Sequence, residues 1–224
     1  DGKEETVIKI NLDGNVYHTD NKDKVFEQEE NLNKAQETEI RIVGEAYKTY
    51  IIAEFSNKLI IIDKHAAHER MIYEQLKNNE AKPDTQLLLS PVSVTLSKEE
   101  YSIILENKEL LSESGFEIDD FGVGSIVVHE CPQQLSLQDI EQMVQELAGY
   151  LLSNREPFVQ QLDWIYHSTA CRAAIKAGDK TSDYELAYFV QKLLSNDKIR
   201  YCPHGRPVYI ELTKSEIQKQ FGRS

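Results

Sequence analysis

From Ile40 onward the chain alternates apolar and polar positions. The stretch IRIVGEAYKTYIIAEFSNKLIIID, rich in Ile, Val and Tyr, predicts two strands over 40–63 joined through Ser56-Asn57. A helical period follows over about 64–79, with Asp63 placed to cap its N-terminus and Pro83 enforcing a break. Residues 81–160 have their own alternation. They predict a strand over 86–96, a helix over 97–114 stopping at Gly115, strands around 116–118 and 125–129, and a helix over 136–153. Helices at about 163–177 and 182–195, a strand at 207–212 and a short helix from Thr213 complete the pattern. No internal repeat is present. The expectation is a two-lobed α+β fold: 39–80 and 161–224 form one lobe with a mixed sheet and helices, and 81–160 is a smaller inserted α+β lobe.

Residues 1–38 read differently. Ten acidic and five basic side chains, with Asn, Gln and Thr between them, predict a solvated, largely disordered linker. Within it, apolar residues alternate over 7–17 around Asp13-Gly14, a dipeptide that favours a hairpin turn. The opening Asp1 and the acidic DGKEET lack signal-peptide character and read as part of a longer protein. Apolar runs such as 59–62 fall far short of the roughly 20 residues that cross a bilayer, so no membrane span is expected.

Charge and cysteine content narrow the function. A net charge of −13 opposes phosphate, so the domain alone should bind nucleic acid poorly, and any chemistry on DNA would require another domain or a partner to deliver it. Three cysteines, an odd number, argue against a disulfide framework and for a reducing cytoplasm, leaving thiols for metal or for burial.

Three segments carry candidate chemistry. In Asp63-Lys64-His65-Ala66-Ala67-His68-Glu69, followed by Glu74, the side chains of His65 and Glu69 are i and i+4 and project from one helix face. Alone, the segment also reads as a capped helix with ordinary ion pairs. In Cys202-Pro203-His204-Gly205-Arg206-Pro207, Cys and His two apart point the same way in an extended chain, Pro203 stiffens the spacing and Gly205 permits a turn; alone, Cys202 also reads as a core residue. Ser168 to Ile175 sets small residues around Cys171, which alone reads as helix packing. Together they supply two imidazoles, two thiolates and two carboxylates, the ligand set of a zinc-type site with room for a second ion. The absence of paired Cys-x-x-Cys excludes a zinc-finger framework and leaves a set more catalytic than structural.

Residues 63–74 resemble the nicking-endonuclease signature of MutL mismatch-repair proteins: Asp-Gln-His-Ala, two residues, Glu, four residues, Glu, with Lys64 standing for the Gln. Ala170-Cys171-Arg172, the Cys202 to Pro207 segment and Phe221-Gly222-Arg223 are similar to three further motifs of that family, in the same order. The likeness covers 39–224. It implies that His65, Glu69, Cys171, Cys202 and His204 bind metal and that Asp63 is the acidic residue essential for cleavage; among these, Glu69 is best placed to bridge two ions. A cation at position 64 would oppose the metal if it pointed inward, but at the first helical position it can equally face solvent. Glu74 lies about 140° around the helix from Glu69, which favours a supporting ion pair over ligation. Arg172 and Arg206 either orient ligands, meet phosphate or form structural pairs. His129 and Cys131 alternate along a strand, but burial explains them; His167, four residues before Cys171, ranks below the five ligands.

The same resemblance names the lobes and partners. The larger lobe is the dimerisation lobe, giving a homodimer, and the inserted one is regulatory. Gln86-Leu87-Leu88-Leu89-Ser90-Pro91 looks like the processivity-clamp-binding peptide of bacterial MutL proteins, with Gln86, Leu89 and Pro91 as anchors; alone, it reads as a core strand. The implied activity is metal-dependent nicking of duplex DNA directed by the sliding clamp, with Zn2+ structural or regulatory and Mn2+ supporting turnover. The mismatch-recognition protein MutS would engage the full-length protein, in the bacterial cytoplasm and at the nucleoid during repair. The alternative is a non-catalytic dimerising and clamp-binding module with a structural zinc site, and a weaker rival is a small-molecule metallohydrolase.

Overall fold

In a computed structural model, residues 8–11, 16–18, 39–78, 82–174, 183–196, 199–202 and 205–223 are described. The fold is mixed α+β with two sheets. The chain divides into two compact units, Asp1–His68 with Ile175–Ser224, and Glu69–Ala174. The boundary falls inside the helix α1 (Lys64–Asn78).

The first unit is built on strands β1 (Ile8–Asn11), β2 (Val16–His18), β3 (Glu39–Ala46), β4 (Tyr50–Phe55), β5 (Lys58–Asp63) and β9 (Tyr209–Thr213), in the order β2-β1-β3-β4-β5-β9. Every pairing is antiparallel rather than mixed, and the short β3-β4 and β4-β5 connections allow no other for those pairs. Period-2 alternation fixes its faces: Ile51 and Ala53 of β4 and Ile60 and Ile62 of β5 are fully buried, whereas Tyr50 and Glu54 face out. Helix α6 (Asp183–Leu194) packs on β1 and β3, and its buried residues include Leu186, Ala187, Val190 and Leu193. A capping box of Thr213 and Glu216 opens the final helix, α7 (Lys214–Gln220).

Two sequence expectations change here. The 40–63 stretch holds three strands, not two. The extra turn is at Tyr47-Lys48, with φ of 55° and 54°, matching the Ser56-Asn57 turn at 51° and 59°. Both are the doubly left-handed turns that suit the twist of a hairpin, but only the second carries an Asn to announce it. The expected linker also contributes structure, for β1 pairs with both β2 and β3. The Asp13-Gly14 turn itself and 19–38 lie outside the described residues.

The second unit holds a three-stranded antiparallel sheet in the order β6-β8-β7, from β6 (Thr85–Thr95), β7 (Glu117–Gly122) and β8 (Ser125–Pro132). Its helices are α2 (Lys98–Glu106), α3 (Lys108–Glu113), α4 (Ile140–Ser153) and α5 (Phe158–Ala173). Ile104, Leu111, Phe116, Val128, Met143, Leu147 and Ile165 form a buried core with their neighbours. Ser97 and Glu100 make a capping box at α2. The single helix expected over 97–114 breaks at Asn107, whose Nδ2 donates to Ile103 O at 2.7 Å and so competes with the helical ladder. Helix α5 begins before the expected Asp163, because Pro157 O already accepts from the N–H groups of Gln160 and Gln161. Its first turn exposes Phe158 and Val159, which masks the apolar stripe in the sequence. Between the pairs Leu87↔Glu130 and Val92↔Val128 the register shifts, so residues 88–91 of β6 bulge opposite one residue of β8. Among the described residues, no helix is long and apolar enough to cross a membrane.

Candidate metal centre

Strand β5 delivers Asp63 to the mouth of α1. Its N–H donates to Val208 O at 2.9 Å, and its Oδ1 accepts from Ala66 N–H at 3.0 Å. This is the cap that an Asp before a helical period predicts. Lys64 departs from the solvent-facing option. It is 2% exposed, its N–H donates to Thr49 O at 3.0 Å, and its Nζ donates to Glu45 Oε1 at 2.6 Å. Glu45 stands at the end of β3, just before the Tyr47-Lys48 turn, where it receives the ammonium.

His65 is half-buried one turn before Glu69. Burial, and then the neighbouring His65, lower the pKa of His68, whose ring meets Phe189 edge-on at 5.9 Å and 69°. A folded-state value below the ordinary imidazole figure of about 6.5 means that the unfolded chain takes up the proton first as pH falls. The stabilisation is complete above that figure and is lost as pH drops toward the folded value. Urea denaturation should therefore show stability falling as pH drops below about 6.5, with a flatter profile in His68→Leu. An unchanged slope in that variant would assign the effect to other groups.

Cys202 is buried in a tight turn. Its N–H donates to Arg206 O at 2.8 Å, and Gly205, at φ 77°, donates its N–H to Cys202 O at 2.9 Å. Glycine is required here because a side chain would be strained at that φ. Arg206 is exposed. Val208 N–H donates to Arg200 O at 3.0 Å, closing the loop on the strand side. Pro203 and His204 lie outside the described residues, so the predicted Cys-x-His pair is seen through Cys202 alone.

In the second unit, Glu69 is 4% exposed on α1 and acts electrostatically on Cys171 of α5. Cys171 is itself an exposed residue, yet partial desolvation of its thiol and then the Glu69 charge push its pKa up, with Arg172 partly offsetting them. Arg172 itself bonds Ser168 O at 3.2 Å and pairs with Glu146 of α4, the structural option among those left open for it. Glu74 pairs with Arg70 at 2.6 Å and accepts from Asn78 Nδ2 at 3.0 Å, the supporting role its helical angle suggests. His167 packs its ring 4.5 Å from that of Tyr73. His129 lies 3.1 Å from Asp119, and Cys131 is fully buried. In the bulge of β6, Leu89 and Pro91 are exposed, while Gln86 Nε2 donates to Leu135 O at 2.7 Å.

Thus the Glu69 charge reaches Cys171, and Asp63 is fixed at the helix mouth. Among the described residues, no three His, Cys, Asp or Glu side chains gather into a group able to hold a metal ion. Glu45 and Asp163 escape sequence reasoning. Glu45 lies beyond an unread turn, whereas Asp163 carried a usable signal in its four-residue spacing from His167 and Cys171.

A family model described as the MutL C-terminal dimerisation domain matches residues 43–181. The DNA mismatch repair protein MutL of Clostridium tetani is 33% identical over 234 residues, covering 98% of this chain and 37% of that protein. That of Clostridium botulinum strain Loch Maree is 32% identical over 197 residues, covering 87% of this chain and 30% of the relative. The MutL of Bartonella tribocorum is 37% identical over 186 residues, covering 80% and 30%. The chain thus spans about a third of the length of these relatives. With the matched segment taking in α1, the whole second unit and Cys171, this chain belongs to the MutL family of DNA mismatch repair proteins and carries its C-terminal dimerisation domain.

Proposed function

We propose that this chain is the homodimerising, DNA-nicking part of a bacterial MutL protein, cutting one strand of a duplex with divalent metal under the direction of the processivity clamp. The observation that supports the reading best is the buried Glu69 carboxylate, whose charge acts on Cys171 of another helix, two donor types from distant parts of the chain. A cation there would offset the cost of burying the carboxylate and would draw the thiol's proton away. His65, Glu69, Cys171, Cys202 and His204 are the proposed ligands. Their thiolates and imidazoles suit Zn2+ in a structural or regulatory role, and the carboxylates suit Mn2+ in turnover. Bound cations would lower the pKa of a water and offset charge on the scissile phosphate.

The chain's own groups do the rest. The cap bond to Ala66 N–H orients the Asp63 carboxylate at the helix mouth, ready to act on the reacting groups. Exposed Arg206 offers a cation to the DNA backbone. Arg172 is engaged in steadying α5 against α4. The net charge of −13 keeps unaided DNA binding weak, so recruitment, by the clamp and by MutS through the full-length protein, controls cutting in the cytoplasm and at the nucleoid.

Elemental analysis of the purified chain tests the metal reading. The parent should retain zinc that Cys202→Ala and Glu69→Ala each lose, and unchanged metal in both variants would sink it. The clamp reading draws on the bulge, which leaves Leu89 exposed beside Pro91; to enter a polar pocket Gln86 must release Leu135 O. Leu89→Asp should weaken clamp binding about tenfold or more. Its Tm should hold within about 2 °C, because substitution at an exposed site costs little. Parental clamp affinity would reject the motif. The alternative reading, a dimerising module whose zinc only holds the fold, draws on the burial of Cys202.

A further inference from the structure

On α1, Glu69, Tyr73 and Lys77 recur every four residues and form one stripe; on α5, Asp163, His167 and Cys171 do the same. The stripes meet residue by residue in opposite directions. At one end, the Tyr73 hydroxyl donates to Asp163 Oδ1 at 2.6 Å and Lys77 Nζ donates to the same oxygen at 2.7 Å. Lys77 Nζ also donates to the Tyr73 hydroxyl oxygen at 2.7 Å, closing a three-membered knot. In the middle, the rings of Tyr73 and His167 lie 4.5 Å apart at 49°. At the far end, Glu69 and Cys171 hold the next matching positions of the two stripes, and the Glu69 charge acts on the Cys171 thiol.

The geometry points to Tyr73, Lys77 and Asp163 as positioning residues that set the register at which Glu69 meets Cys171. This inference rests on the metal-ligand reading of that pair. Eight residues of helix separate Lys77 from Glu69, so the knot acts from about 12 Å away along a stiff rod. Slipping one residue would move a ligand about 1.5 Å and turn it by about 100°. Metal–ligand distances tolerate only about 0.2 Å. The apolar packing between the helices, Ile72 and Leu76 with Ala170, is non-directional and resists such slippage weakly. The knot is directional, and two of its bonds end on a single carboxylate oxygen.

A purely structural knot and a positioning knot differ in what their loss does. Lys77 and Asp163 remain 51% and 36% exposed, so the ion pair itself adds little stability. Cobalt(II) titration of the whole chain, followed by the thiolate-to-cobalt charge-transfer band, reads the register directly. The parent should show a band that Cys171→Ala abolishes. Asp163→Ala should weaken cobalt binding about tenfold, the scale of losing a group that orients ligands, and should alter the band. Its Tm should fall by only about 2–4 °C. Tyr73→Phe, which keeps the buried ring and removes one bond of the knot, should act in the same direction and serves if Asp163→Ala misfolds. A Cys171-dependent band with parental affinity and shape in both variants would overturn the positioning role alone. A parent with no Cys171-dependent band would overturn the metal reading of the pair, and the positioning role with it.

Discussion

Asp63→Asn should leave the domain folded and metal-loaded while lowering nicking by about a hundredfold or more, the scale on which removing one group at a reacting centre acts. The structure makes this substitution unusually clean. Asp63 caps α1 through Oδ1, and Asn caps a helix about as well as Asp, so only the charge is withdrawn. Asp63→Ala, by contrast, removes the cap as well and should cost about 1 kcal/mol of stability. The measurement is nicking of supercoiled plasmid by the full-length protein with manganese and clamp, beside metal content and Tm. Parental nicking by Asp63→Asn would remove Asp63 from the chemistry. A parent inert under those conditions would favour the dimerising module with structural zinc.

The second large effect is expected at Glu45. Substituting Glu45→Ala removes the carboxylate that lies 2.6 Å from the Lys64 ammonium, a residue only 2% exposed that keeps its other interactions. Removing one member of a buried pair costs about 3–5 kcal/mol; because Glu45 keeps 19% side-chain exposure, the lower end applies. For a domain of this size that is a fall in Tm of roughly 6–12 °C. Adding Lys64→Gln, the residue the MutL signature has at this place, should recover much of the loss, since an uncharged amide is far cheaper to bury. Thermal melts of the two single variants and the double variant close the cycle. If Glu45→Ala melts with the parent, the pair contributes nothing to the fold. The ion pair also accounts for the cation at position 64, because Glu45 neutralises it beside the candidate site.

What was legible in the sequence follows from how local each determinant is. Asp63 before a helical period announces its cap, and Ser56-Asn57 announces its hairpin, since the deciding residues sit in the turn itself. Tyr47-Lys48 adopts the same left-handed geometry with no residue that favours it; the pairing of β3 with β4 imposes the turn. With that turn unread, the Glu45–Lys64 pair was out of reach. The break at Asn107 depends on one side chain competing for Ile103 O, which helical periodicity does not register. At the candidate site, helical spacing suffices to put His65 and Glu69 on one face. The approach of Glu69 to Cys171 depends instead on packing of α1 against α5, and only likeness to a family singled out Cys171 among small residues. Composition suggested a linker over 1–38 because two short strands carry little apolar weight, yet β1 finds an edge on β3.

Strand β6 runs for eleven residues at an open edge of its sheet and is rich in Leu and Val. Such an edge is a template on which like chains stack into fibrils. The bulge at 88–91 interrupts it, and Pro91 withholds a backbone N–H where an incoming strand would seek one. The distortion that turns Leu89 outward therefore also guards the protein against self-assembly through that edge, and straightening it would favour aggregation.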